Sequence, residues 1–75
     1  MNNLLTVGGI YRYFKGGMNQ IIAIGTLSGT SDKYVVYKSF EDNRIWIRHL
    51  EDFTSRVDRN KYPYSQEYKF EEIDY

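Results

Sequence analysis

The strongest constraint on this chain is a succession of short runs rich in β-branched and aromatic residues, each stopped by turn chemistry. Ile10-Tyr11-Arg12-Tyr13-Phe14 alternates, with Ile10, Arg12 and Phe14 on one face and Tyr11 and Tyr13 on the other. Lys15-Gly16-Gly17 follows, and glycines supply the positive φ that a hairpin turn demands. Ile21-Ile22-Ala23-Ile24 is a continuous apolar run, the pattern of a strand buried on both faces. Ser28-Gly29-Thr30-Ser31-Asp32 is a loop by composition, and Lys33 to Ser39 is again β-rich. After a turn at Glu41-Asp42-Asn43, Arg44-Ile45-Trp46-Ile47-Arg48 alternates strictly: the isoleucines share one face, Arg44, Trp46 and Arg48 the other. Leu50 to Phe53 can form a single helical turn before Thr54-Ser55-Arg56-Val57 resumes an extended form.

Interruptions at roughly 8–12-residue intervals are the spacing of a small all-β barrel or sandwich. A two-sheet sandwich typically needs about 100 residues, and this chain has 75. The expected fold is therefore all-β, a small SH3-like barrel of about five strands. Residues 1–7 read as an N-terminal extension, 8–57 as the barrel and 58–75 as a Tyr-rich acidic segment. That segment holds Tyr62, Tyr64, Tyr68 and Tyr75, the single proline Pro63, and the acids Asp58, Glu67, Glu71, Glu72 and Asp74. Tyrosines at that density belong against a surface, either the barrel or a second copy, and Tyr68-Lys69-Phe70 with Ile73 can add a strand or lie across the barrel.

Composition removes several functions. A chain this short buries only about 60% of its unfolded surface, and with no cysteine it has neither disulfides nor thiolate metal sites. Stability has to come from aromatic packing, a bound partner or a homo-oligomer. Ten Lys+Arg balance ten Asp+Glu, a poor endowment for a nucleic-acid coat, which needs a basic excess. No apolar run approaches the roughly 18 residues that span a bilayer. Met1-Asn2-Asn3 carries no basic n-region, so a cytoplasmic location is expected, in a cell or a virus-infected cell. Neither catalysis nor a cofactor is expected. His49 is the single histidine, and no serine stands on a nucleophile elbow. Glu71-Glu72 with Asp74 lacks the glycine loop of a calcium site, so no metal site is assigned.

Binding chemistry is better represented. Arg12, Lys15 and Arg48 are three cations in segments dense with Tyr11, Tyr13, Tyr37 and Trp46. Arginine forks match phosphate and aromatic faces stack on bases, which together serve a nucleotide. Thr30 sits in a small polar loop able to close over a ligand. The candidate ligand-binding set is Tyr11, Arg12, Lys15, Thr30, Tyr37, Trp46 and Arg48. The competing reading makes Trp46 and Tyr37 core residues and pairs Arg12 and Arg48 with carboxylates across strands.

From Gly9 to Val57 the chain also resembles a small family of bacterial and phage proteins known only as a domain of unknown function. The family pattern G-x-Y-R-H-F-K-G stands here as Gly9-Ile10-Tyr11-Arg12-Tyr13-Phe14-Lys15-Gly16. Its later blocks stand as Ser28-Gly29-Thr30, Val35-Val36-Tyr37 and Trp46-Ile47-Arg48-His49-Leu50-Glu51-Asp52-Phe53. Tyr13 and Leu27 replace the family's histidines, Gly29 its loop glutamate and His49 a proline, so no role of those groups carries over. The resemblance implies an SH3-type barrel and brings no activity with it.

Two functions are consistent with these residues. The first is a non-catalytic binding protein for a nucleotide-derived small molecule, such as a cyclic nucleotide or an ADP-ribose-type immune signal that a phage protein would sequester. The second is an SH3-like module for a protein or nucleic-acid partner, the acidic tail favouring protein.

Overall fold

A computed structural model describes residues 5–73. The first four residues of the expected N-terminal extension, and Asp74 and Tyr75 of the acidic tail, lie outside the described residues. The described chain forms five strands and one helical turn: β1 (Ile10–Tyr13), β2 (Met18–Thr26), β3 (Lys33–Ser39), β4 (Ile45–His49), α1 (Leu50–Phe53) and β5 (Phe70–Glu72). All pairings are antiparallel, in one open sheet of order β4-β3-β2-β1-β5. The fold is all-β and barrel-like, as the strand spacing implies. The fifth strand is Phe70–Glu72 and not Thr54–Val57, of which only Arg56 forms a bridge, to Tyr68.

Turn chemistry sets the hairpins. Gly16 and Gly17 have φ of 107° and 94°, values that an L side chain rarely adopts, and they reverse β1 into β2. Asn43, with φ of 59°, turns β3 into β4. In the β2–β3 loop the Leu27 carbonyl accepts from the Thr30 hydroxyl at 2.9 Å, while Thr30 Oγ1 accepts from the Asp32 N–H at 3.0 Å.

The registers decide which face is inside. Ile21 lies opposite Tyr37, and Tyr37 opposite Trp46, while Val35 lies opposite Arg48. Tyr11, Ile21, Val35, Tyr37, Phe53 and Phe70 form the buried cluster, with Leu5, Tyr13 and Leu50 packed against it. Its centre is aromatic. Phe53 and Phe70 stack with centroids 4.0 Å apart and planes 8° from parallel, and Tyr37 meets both edge-on at 5.4 Å.

Burial of the Ile21–Ile24 run on both faces is not observed. A bulge shifts the register between Ile21 and Ala23, so Ile21 points into the core while Ile22, Ala23 and Ile24 are exposed. An extra residue bends a strand and turns its neighbours outward. The alternation in β4 is observed, with the inward face belonging to Trp46 and Arg48. Ile45 and Ile47 point outward, 56% and 67% exposed.

The C-terminal segment is held on the sheet by its backbone. Phe14 N–H donates to the Lys69 carbonyl at 2.8 Å, Lys69 N–H to Ser55 at 3.0 Å and Val57 N–H to Glu67 at 2.9 Å. Gln66 Nε2 donates to the carbonyls of Arg12 and Tyr68 at 2.8 and 2.9 Å. Tyr62 meets Phe14 edge-on at 5.1 Å, and Tyr68 lies under the Arg56 guanidinium at 5.4 Å. Tyr64 is fully exposed.

Candidate functional site

The inner face of β4 carries Trp46 and Arg48 two residues apart, so both side chains project over the same side of the sheet. Beneath them lies a hollow of about 260 Å³ whose wall includes Tyr13, Tyr37, Phe70, Asn19, Glu41 and Asp42, with Gly16 and Gly17 at its lip. The indole is 43% exposed, an unusual position for the one tryptophan of a small domain.

Arg48 is half-buried and closely held. Its guanidinium carbon lies 5.2 Å from the Phe70 ring centre and 5.6 Å from that of Tyr13. Nε donates to the Tyr37 hydroxyl at 3.3 Å, and Nη1 to the Asp52 carboxylate at 2.5 Å. Burial opposes the Arg48 charge, but the Tyr37 and Asp52 hydrogen bonds outweigh it and hold the guanidinium above its ordinary value. Asp52 also accepts from Lys69 Nζ at 2.7 Å. The Lys69 hydrogen bond holds its carboxyl below the usual range; burial works against this, and Arg48 adds to it. Two cations thus share one carboxylate under the hollow. The local structure follows from sequence order, because α1 begins directly after β4 and brings Asp52 one turn back onto Arg48.

Of the seven residues singled out from the sequence, three come together here: Tyr37, Trp46 and Arg48. Tyr37 combines both readings, since its ring is in the core and its hydroxyl reaches Arg48. Tyr11 is in the core, and its hydroxyl accepts from the Thr6 N–H at 3.0 Å. Arg12 is exposed and lies opposite Met18 on the outer face of the sheet. Lys15 stands over Phe14 and Tyr62, 5.7 and 5.9 Å from their ring centres, beside a separate hollow. Thr30 serves its own loop. The three cations therefore do not converge. His49 is hydrogen-bonded to the Tyr34 hydroxyl at 3.1 Å, in no arrangement with a serine among the described hydrogen bonds.

The candidate set left out Tyr13, named from the sequence as an aromatic beside the cations, and sequence reasoning missed Asn19, Glu41, Asp42, Asp52, Lys69 and Phe70. The four-residue interval from Arg48 to Asp52 across a strand end was the available signal for one of them. Phe70 and Lys69 carry no local signal, since their contact with β4 depends on β5 pairing with β1.

Comparison with known proteins finds one family, described as a protein of unknown function (DUF1653), whose profile matches residues 9–72. Neither the curated proteins nor the solved structures contain a match. The profile covers every strand and the hollow's lining from Tyr13 to Phe70, and the chain belongs to this family.

Proposed function

We propose that the chain is a non-catalytic ligand-binding protein that holds the flat, N–H-bearing ring of a nucleoside-type molecule against Trp46. The observation that carries this reading is the exposed Trp46 indole beside Arg48, over a hollow whose rim offers the Glu41 and Asp42 carboxylates. An aromatic face stacks on a base irrespective of its identity. Carboxylates accept from amino and imino groups, which gives the ring an orientation. Of the cations beside the indole, Arg48 is already bound to Asp52 and Arg44 lies over the Trp46 ring, 5.9 Å from its centre, so a nucleoside or monophosphate suits the site better than a polyphosphate.

The size of the hollow agrees with this. Pockets that enclose a drug-sized ligand run from about 300 to 1,000 Å³, and about 260 Å³ accommodates a base while leaving the remainder outside. Aromatic walls and an arginine held by Asp52 supply binding contacts to a flat ring, which is what sequestering a nucleotide-derived signal requires. Thermal shift and calorimetry with adenosine, a monophosphate, a cyclic nucleotide, ADP-ribose and a triphosphate test the reading. Binding of the smaller members, with the ligand recovered unaltered, is expected. No heat and no shift with any of them, or binding of the triphosphate alone, overturns it.

A further inference from the structure

We infer that the free edge of β4 is the pairing surface for a second copy of this chain, giving a two-fold dimer with one continuous sheet. The inference rests on the backbone ladder and is independent of what the hollow holds. Among the described residues β4 has one neighbour, β3. Ser39 N–H donates to the Arg44 carbonyl at 2.9 Å; these two residues stand opposite each other, one step beyond the pair Lys38 and Ile45. Antiparallel ladders alternate, so Trp46 and Arg48 bond inward to β3, and Ile45 and Ile47 turn their N–H and C=O groups, and His49 its N–H, to the open side.

That phase is self-complementary. With a two-fold axis at Ile47, each Ile47 faces its copy and each Ile45 faces His49 of the second copy. The facing Ile47 pair exchanges two hydrogen bonds, and each His49 N–H donates to Ile45 of the second copy, the His49 carbonyl being held by the first turn of α1. The same register sets each Trp46 opposite Arg48 of the second copy on the inner face, within side-chain reach. It also carries the exposed Arg44, just before one β4, toward the exposed Glu51 just beyond the end of the other.

The two sheet edges differ in the way such a pairing requires. Proteins protect exposed edges with short strands and charge. The β5 edge has three residues, two of them Glu71 and Glu72. The β4 edge has five, Ile45 to His49, with Ile45 and Ile47 more than half exposed and a single charged side chain, Arg48, which is turned to the inner face and paired with Asp52. Beside it the outer face continues through Val36, Tyr34 and Leu27, which with Ile47 line an apolar hollow of about 390 Å³.

Sedimentation velocity over a range of concentrations, with light scattering for mass, provides the test. The expected species has about twice the 9.0 kDa of the chain. Ile47→Lys sets like charges against each other at the axis and should weaken association about tenfold or more while circular dichroism is unchanged. Ile47→Cys gives a second readout, because facing Cα atoms about 5.5 Å apart lie in disulfide range. Introduced into a chain without cysteine, it should oxidise to a covalent dimer, and Tyr64→Cys should not. A wild-type monomer at all concentrations, a dimer indifferent to Ile47→Lys, or an edge that pairs only with a foreign peptide overturns the inference.

Discussion

Replacing Asp52 by asparagine separates the stability of the fold from the affinity of its site. In the native chain the Asp52 carboxylate accepts from Arg48 at 2.5 Å and Lys69 at 2.7 Å. The three side chains are 42%, 28% and 27% exposed in that order. Exposed pairs contribute about 0–1 kcal/mol, whereas breaking a buried pair costs about 3–5 kcal/mol because a charge is left uncompensated. Partial exposure puts Asp52→Asn between these, at roughly 2 kcal/mol, since two half-buried cations lose their common partner. A domain of this length has about 4–11 kcal/mol in total. The loss should lower the melting temperature by about 8–16 °C and the urea midpoint by about 2 M at an m-value near 1 kcal/mol per molar. Because the folded Asp52 carboxyl titrates below its unfolded value, its contribution is complete above about pH 4 and is lost as pH falls through the folded value. The variant should therefore show a flatter acid limb than wild type. Freed from Asp52, Arg48 should at the same time bind a monophosphate more tightly. Urea melts by far-UV circular dichroism at several pH values, with calorimetric titration of the ligand, measure both effects. A midpoint shift below about 0.3 M, or identical acid limbs, refutes this account of the Arg48–Asp52–Lys69 cluster.

Four further substitutions follow from the geometry. Phe53→Ala empties the centre of the aromatic cluster, where Phe53 is fully buried, and should cost about 3–5 kcal/mol, read as a largely unfolded circular dichroism spectrum near 37 °C. Gly17→Ala forces a side chain to φ of 94° with its Cβ 3.1 Å from the Glu41 carboxyl and should cost about 1–2 kcal/mol. Gly25→Ala, with nothing within 4 Å of the added carbon, should cost under about 0.5 kcal/mol in the same thermal melt. Gln66→Ala removes the side-chain bonds to the Arg12 and Tyr68 carbonyls. A loss of about 1–2 kcal/mol should appear as faster hydrogen exchange at Phe14 and Lys69.

Alternation in the sequence separates the faces of each strand but does not say which one is inward. In Ile45–Arg48 hydropathy favours burying the isoleucines; the fold buries the arginine's side, because Tyr13 and Phe70 receive its guanidinium and Asp52 neutralises it. None of these partners is visible from the strand itself. The continuous run at Ile21–Ile24 misled for a related reason, since a one-residue bulge at Ile22 is a property of how β2 pairs with β3. The hairpin glycines, the turn at Asn43 and the helical turn at Leu50–Phe53 are local, and the residues report them directly. The candidate site was half legible: Trp46, Arg48 and Tyr37 were recognisable by chemistry, whereas the dispersal of Arg12, Lys15 and Thr30 depends on strand order and face.

Trp46, the one tryptophan in the chain, makes the central claim directly measurable. Titration of its emission with adenosine monophosphate should give saturable quenching that disappears in Arg48→Ala, while inorganic phosphate alone leaves the emission unchanged. Unquenched emission at millimolar ligand, or equal quenching in wild type and Arg48→Ala, would contradict a ligand site formed by these two residues.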